Sequence, residues 1–276
     1  MKLEKIWAVY FSGTGTTRRT VERIAGGIAS RLNLPAESVD FSRPAVRQET
    51  LRFGEKDLVV FGTPVYAGRV PNVLLPFLRE RIVGGGALAV PVVLFGNRNY
   101  DDALIELRNI LAADGMHPIA AGAFVGEHSF SRVLGADRPN AEDEALMDEF
   151  AARVAALAAG LDAAPVKSVA VRGQEPLRPY YTPRDRAGNP INILKVKPKT
   201  DLSRCGGCGL CADLCPMGSI DPADVSAVWG ICIKCCACVK GCPTGAKFFD
   251  DAGYLYHQHE LEAQYARPAE NEVFYL

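Results

Sequence analysis

The sequence predicts an α/β fold in its first half, a five-stranded parallel sheet covered by helices, joined to a small α+β module rich in cysteine. Three observations predict it. Apolar, β-rich runs alternate with helical patterns from Lys5 to Gly160. The alternation then breaks into a proline-punctuated stretch, and all nine cysteines fall between Cys205 and Cys242.

The elements follow in order. Lys5 to Phe11 is a buried-strand run, followed by a Ser/Gly/Thr turn and a helix over about Thr17 to Leu32. Ala36 to Phe41 is a second strand, and Asp57 to Gly62 a third that ends in glycine. A helix from Asn72 to Val83 leads through Gly84-Gly85-Gly86 to a fourth strand, Leu88 to Phe95. Tyr100 to Asp114 is the next helix and Pro118 to Val125 the fifth strand. An Ala-rich helix spans Asn140 to Gly160, with Glu142, Asp143, Glu144, Asp148 and Glu149 read as its solvated face. Strands separated by helices imply a parallel sheet, because parallel neighbours need crossover connections.

From Leu161 to Lys199, six prolines make long regular elements improbable. Val166 to Val171 and Ile191 to Val196 are apolar enough for short strands, and the pair Tyr180-Tyr181 favours an ordered wrap over a tether. The tail beyond Asp251 carries Tyr254, Tyr256, Tyr265, Phe274 and Tyr275, which imply docking onto the body as packing. The expected units are therefore residues 1–160, a connecting segment 161–199, a module 200–250 and a tail 251–276.

Composition excludes several classes. A chain of 276 residues can hold one to two domains with a real core, and a net charge of -1 offers no basic footprint for nucleic acid. In the module, Arg204, Lys234, Lys240 and Lys247 balance Asp201, Asp213, Asp221 and Asp224. The apolar run Ile6 to Phe11 is too short for a signal peptide, and Ala87 to Gly96 too short to span a membrane, so no membrane insertion is expected. Cysteines confined to one module argue for metal ligation in a reducing compartment, and a cytoplasmic location is expected. The four histidines (His117, His128, His257, His259) share no metal spacing, and no nucleophile elbow occurs, so no catalytic residue is assigned.

The cysteines read Cys205-x2-Cys208-x2-Cys211-x3-Cys215-Pro216, then Cys232-x2-Cys235-x2-Cys238-x3-Cys242-Pro243. Zinc sites pair Cys-x2–4-Cys units and need four ligands in total. Three thiols at x2 spacing before a fourth suit a four-iron cube better. The spacing resembles that of bacterial-type ferredoxins, in which the fourth cysteine ligates the other cluster. That resemblance implies two [4Fe–4S] clusters, one on Cys205, Cys208, Cys211 and Cys242, the other on Cys232, Cys235, Cys238 and Cys215. Cys236 fits neither register and reads as a small buried hydrophobe.

A second candidate site lies in the first half. Ser12-Gly13-Thr14-Gly15-Thr16-Thr17 leaves a strand and opens a helix, so its amides and hydroxyls can cradle a phosphate. Gly13-x-Gly15-x-x-Arg18 misses the dinucleotide fingerprint, which wants a small residue where Arg18 stands. Two later loops, Thr63-Pro64-Val65-Tyr66-Ala67-Gly68-Arg69-Val70-Pro71 and Gly96-Asn97-Arg98-Asn99-Tyr100-Asp101-Asp102, follow strands at the edge where open α/β sheets bind ligands.

On these loops, residues 1 to about 160 resemble the flavodoxin-like FMN domains, with sheet order 2-1-3-4-5. The whole chain looks like the flavodoxin–ferredoxin fusion proteins often called EFR1-family ferrodoxins. The resemblance implies that Ser12, Gly13, Thr14, Gly15, Thr16 and Thr17 bind the FMN phosphate. Thr63, Pro64, Val65, Tyr66 and Ala67 would line one side of the flavin ring, and Gly96, Asn97, Arg98, Asn99 and Tyr100 the other, with Tyr66 or Tyr100 stacked on it. Arg69 is read as steadying a reduced flavin or as a solvated loop side chain. The expected role is an electron carrier between the clusters and FMN, with redox proteins as partners. A flavin-dependent reductase of a small-molecule acceptor, a redox sensor and a homodimer stay open. Direct NAD(P)H oxidation is not expected, since no second Gly-rich strand–helix turn occurs.

Overall fold

A computed structural model describes residues 2–276. The first strands are β1 (Lys5–Tyr10), β2 (Ala36–Asp40), β3 (Asp57–Pro64), β4 (Leu88–Phe95) and β5 (Ala120–Val125). All five are parallel, in the expected order β2-β1-β3-β4-β5. The central β4 is buried over its whole length, as a strand covered on both faces must be.

Helices divide the core in two. α1 (Thr16–Leu32) and α4 (Ala141–Ala159) cover the face of Ile6, Val60, Val92 and Phe124. α2 (Leu75–Glu80) and α3 (Ala103–Ala113) cover the face of Val9, Phe61, Val93 and Val125. In α1, Val21, Ile24, Ala25, Ile28 and Ala29 keep the helical spacing of one buried stripe. Asn33 ends it in the left-handed conformation, its amide donating to Ala29. Asn140 and Asp143 close α4 with a capping box, so Asp143 is buried and not part of a solvated face.

Several expectations are corrected. The sheet is mixed, because the tail supplies a sixth strand, β6 (Glu272–Tyr275), antiparallel to β5. Its alternation is too short to read as a strand until the edge of β5 offers it a partner. A two-residue strand, His117–Pro118, pairs separately with β4. The expected Asn72–Val83 helix is a 3₁₀ turn at Asn72–Leu74, then α2, then Ile82–Val83 paired with Leu51–Arg52. Neither 166–171 nor 191–196 forms a strand. That segment is instead held by single contacts, with Val169 buried and its amide donating to Pro118.

The module carries two four-residue helical turns, Leu210–Asp213 and Ala237–Lys240, and a ribbon pairing Lys199–Thr200 with Lys247–Phe248. The last helix, α5 (Ala252–Gln264), starts at Asp251, whose carboxylate accepts from the Tyr254 amide. No described helix is long and apolar enough to cross a membrane.

Candidate functional site

The loops leaving β1, β3, β4 and β5 share the carboxyl edge of the sheet. In the first, Gly15 opens α1 at φ 88, which costs a glycine little, and the Ser12 hydroxyl accepts from the Arg18 amide at 3.1 Å. The first amides of a helix have no partner within it, so this turn offers donors and a positive dipole end to an anion. Thr14 is exposed, while Thr16 and Thr17 are buried. At the end of β3 the Thr63 hydroxyl is buried with no partner in the protein. A helix start rich in amides and hydroxyls and an orphaned hydroxyl on the same edge fit the phosphate and polar atoms of FMN.

The loop after β3 makes a tight hairpin, Tyr66 and Arg69 exchanging backbone hydrogen bonds of 2.9 and 3.1 Å around Ala67 and Gly68. Tyr66 is half-buried here, its phenol pushed up by burial and then by the neighbouring thiols of Cys235, Cys236 and Cys232. Arg69 fulfils neither expectation. Its guanidinium grips Glu106 at 2.6 and 2.7 Å, donates to the Arg178 carbonyl at 2.5 Å and lies over Tyr180. Glu106 is buried on α3, so this arginine balances a charge inside the protein.

The loop after β4 also differs from expectation. Tyr100 belongs to the core, beside Phe95, and its hydroxyl donates to Glu272 at 2.7 Å. It packs where a flavin-stacking role was expected. The Asn97 side chain is taken by the tail, donating to the Tyr265 and Arg267 carbonyls and accepting from the Ala269 amide. Arg98 pairs with Asp101 and covers the Tyr181 ring, and Asn99 accepts from the Asp101 amide. Pro64 and Val65 are half-buried and Ala67 exposed at the opposite loop. The connecting segment lies across both loops: Tyr181 donates its amide to Ala67, Tyr180 its hydroxyl to Val70, and Arg178 grips Asp102.

The eight motif cysteines fall into two groups. One cavity is lined by Cys205, Cys208, Cys211 and Cys242, the other by Cys215, Cys232, Cys235 and Cys238. The four thiols of each group surround a space; no three described His, Cys, Asp or Glu side chains converge as a single ion would need. Burial pushes the thiols of Cys235 and Cys238 up to about 12. Cys242 is only lightly buried. The Thr244 hydroxyl and the amides of Lys247, Thr244 and Ala246 outweigh that burial and hold it at about 7. Cys215 accepts from the Ser219 amide at 3.3 Å, a contact of the kind that tunes cluster potential. Cys236 is buried, its sulfur 3.3 Å from the Tyr254 hydroxyl.

The module sits on the carboxyl edge of the sheet. Lys240 donates to Glu127 and to the carbonyls of His128 and Ser131 at 2.7 and 2.8 Å. Arg47 donates to the Pro216 carbonyl at 2.5 Å. Neither seam residue was singled out in the sequence as a contact, because nothing local marks a partner more than 100 residues away.

A flavodoxin-domain family model matches residues 8–103, and a 4Fe-4S binding-domain model matches residues 198–221. The second cysteine motif lies beyond that match and repeats its spacing. Similar solved structures include a flavodoxin from the domain Archaea, 17% identical, covering 55% of this chain and 96% of that one at a TM-score of 0.41. An NADH:FMN oxidoreductase in its apo form is 16% identical, covering 55% and 89% at a TM-score of 0.39. A Fusobacterium nucleatum flavodoxin variant bound to flavin mononucleotide is 16% identical, covering 57% and 95% at a TM-score of 0.35. No curated protein matches the chain. The chain thus joins a flavodoxin domain in its N-terminal half to a 4Fe–4S binding domain behind it, and the two domains support an electron-transfer role with FMN and iron–sulfur clusters.

Proposed function

We propose that this protein relays single electrons between two [4Fe–4S] clusters and FMN, converting between one- and two-electron carriers for redox protein partners. One observation carries the reading: the module with two groups of four cysteines sits on the same sheet edge as the hydroxyl-rich loop Ser12–Thr17. Cys205, Cys208, Cys211 and Cys242 would hold one cluster, and Cys215, Cys232, Cys235 and Cys238 the other. Ser12 to Thr17 would take the FMN phosphate, and residues 63–67 with the backbone of 96–99 would border the ring. Bound FMN accepts one or two electrons, and iron–sulfur cubes pass one at a time.

A second reading is a flavin-dependent reductase of a small molecule, fed by the clusters. It is favoured by the cover that Arg178, Tyr180 and Tyr181 place over the loops at 66–70 and 98–102.

Anaerobic purification, with iron, sulfide and flavin quantified and the visible spectrum followed during stepwise reduction, tests both. About eight irons and one FMN per chain, with flavin and clusters exchanging electrons, supports the relay. Eight irons with no flavin after added FMN refutes the conversion. Rapid reoxidation of the reduced chain by small carbonyl or quinone acceptors, and not by redox proteins, favours the reductase.

A further inference from the structure

The two cysteine groups are not equivalent. A Cβ placed on Gly13 would lie 3.0 Å from the Cys235 Cβ and 3.6 Å from its sulfur, so the expected phosphate loop touches the second motif directly. Ile233, next to Cys232, packs against the core of the first domain. The seam contact of Arg47 also falls on this group, at Pro216 beside Cys215, while Lys240 lies between Cys238 of this group and Cys242 of the other. Cys235 and Cys238 are buried.

The first motif is different. Its Cys208 is exposed, whereas Cys235 and Cys238 of the second are buried. Among the described residues, its recorded polar contacts return to the module: the Asp201 amide to Ala246, and Arg204 to Thr244. Leu202 and Leu210, beside its thiols, face solvent.

We infer that the cluster of Cys215, Cys232, Cys235 and Cys238 is the inner one, against the flavin-phosphate loop, and that the cluster of Cys205, Cys208, Cys211 and Cys242 is the outer port for a one-electron donor or acceptor protein. This order rests on the functional reading above. With the groups bound, one electron at a time would pass between the cluster held by Cys205, Cys208, Cys211 and Cys242, the cluster held by Cys215, Cys232, Cys235 and Cys238, and the flavin, with no bond made or broken. Gly13 is the contact residue: a side chain there would press Cys235 back by a few tenths of an ångström.

The test uses the intact holoprotein, labelled with ¹⁵N, and the NMR signals of the Gly13 and Thr14 amides. A reduced cube is paramagnetic and erases the signals of nuclei close to it. Both signals are expected to vanish on reduction with dithionite in the wild type. They should vanish equally in Cys208→Ala, which alters the EPR signal of the outer cluster alone. Lys240→Ala, which keeps all eight ligands but loosens the seam, should restore part of both signals. Sharp Gly13 and Thr14 signals in reduced wild type holding eight irons overturn the order. So does their recovery in Cys208→Ala. A chain that binds no iron refutes the functional reading itself, whereas iron without flavin refutes the FMN assignment and leaves the order measurable.

Discussion

Lys240→Ala is the sharpest probe of how the two domains are joined. The ammonium is 13% exposed and meets three acceptors: Glu127, which is one-third exposed, and the carbonyls of His128 and Ser131. Hydrogen bonds from a charged donor contribute about 1.5–3 kcal/mol each, and solvent at Glu127 reduces that pair toward the lower figure. The carbonyls left behind regain water once the seam opens, so their contributions do not add in full. The expected loss is about 3 kcal/mol, a large share of a typical domain stability of about 5–15 kcal/mol. The assay is hydrogen exchange of the anaerobic holoprotein at residues 126–134 and 235–242, with urea unfolding beside it. Exchange should accelerate on both sides of the seam together, while β1 and β3 keep their protection. A loss below about 0.5 kcal/mol, with unchanged exchange on both sides, would show that Lys240 is an exposed-type pair and refute the clamp.

Other consequences can be measured separately. Tyr100→Phe removes the bond to Glu272 and should cost about 1 kcal/mol while leaving FMN affinity unchanged by titration; a tenfold weaker affinity would return Tyr100 to the flavin. Burial opposes ionisation of Asp102, yet the side chain and amide of Arg178 and the amide of Gln174 hold its carboxyl below the usual range. Its folded value lies below its unfolded one, so the stabilisation is present above about pH 4 and is lost as pH falls through the folded value. Limited proteolysis within 172–181 should therefore rise in acid, and in Asp102→Asn already at pH 7. Burial, aided by Lys240, His257 and Arg98, pushes His128 down to about 3, and burial with Arg98 pushes His257 to about 4. Both folded values lie below the free imidazole value, so stability is full above about pH 6.5. It falls by about 1.4 kcal/mol per pH unit per histidine below that, toward the folded values. Urea midpoints at pH 7.5 and 5.5 measure the slope, and His257→Phe should flatten it; an unchanged slope refutes the assignment.

Much of this protein was legible in the chain because its signals are local. Alternating apolar runs and helical stripes named the five strands along the chain, since a strand covered on both faces and a one-sided helix each carry their burial in their own sequence, while their order in the sheet came from the resemblance to flavodoxin-like domains. The cysteine spacing needed only a tight turn, and the hydroxyl-rich loop only a strand before it and a helix after it. What was missed depends on partners far along the chain. β6 becomes a strand only because the edge of β5 has unpaired backbone groups to offer it. Tyr100, Arg69 and Asn97 sit in loops whose sequence suited a flavin. Their side chains are claimed by Glu272, by Glu106 and by the tail carbonyls at 265 and 267, because buried polar groups must find partners. The sequence by itself determined the elements, the two kinds of domain and the thiols available to iron. Only the tertiary structure decided which thiols face the first domain, because that choice rests on Gly13 meeting Cys235 across more than 200 residues of chain.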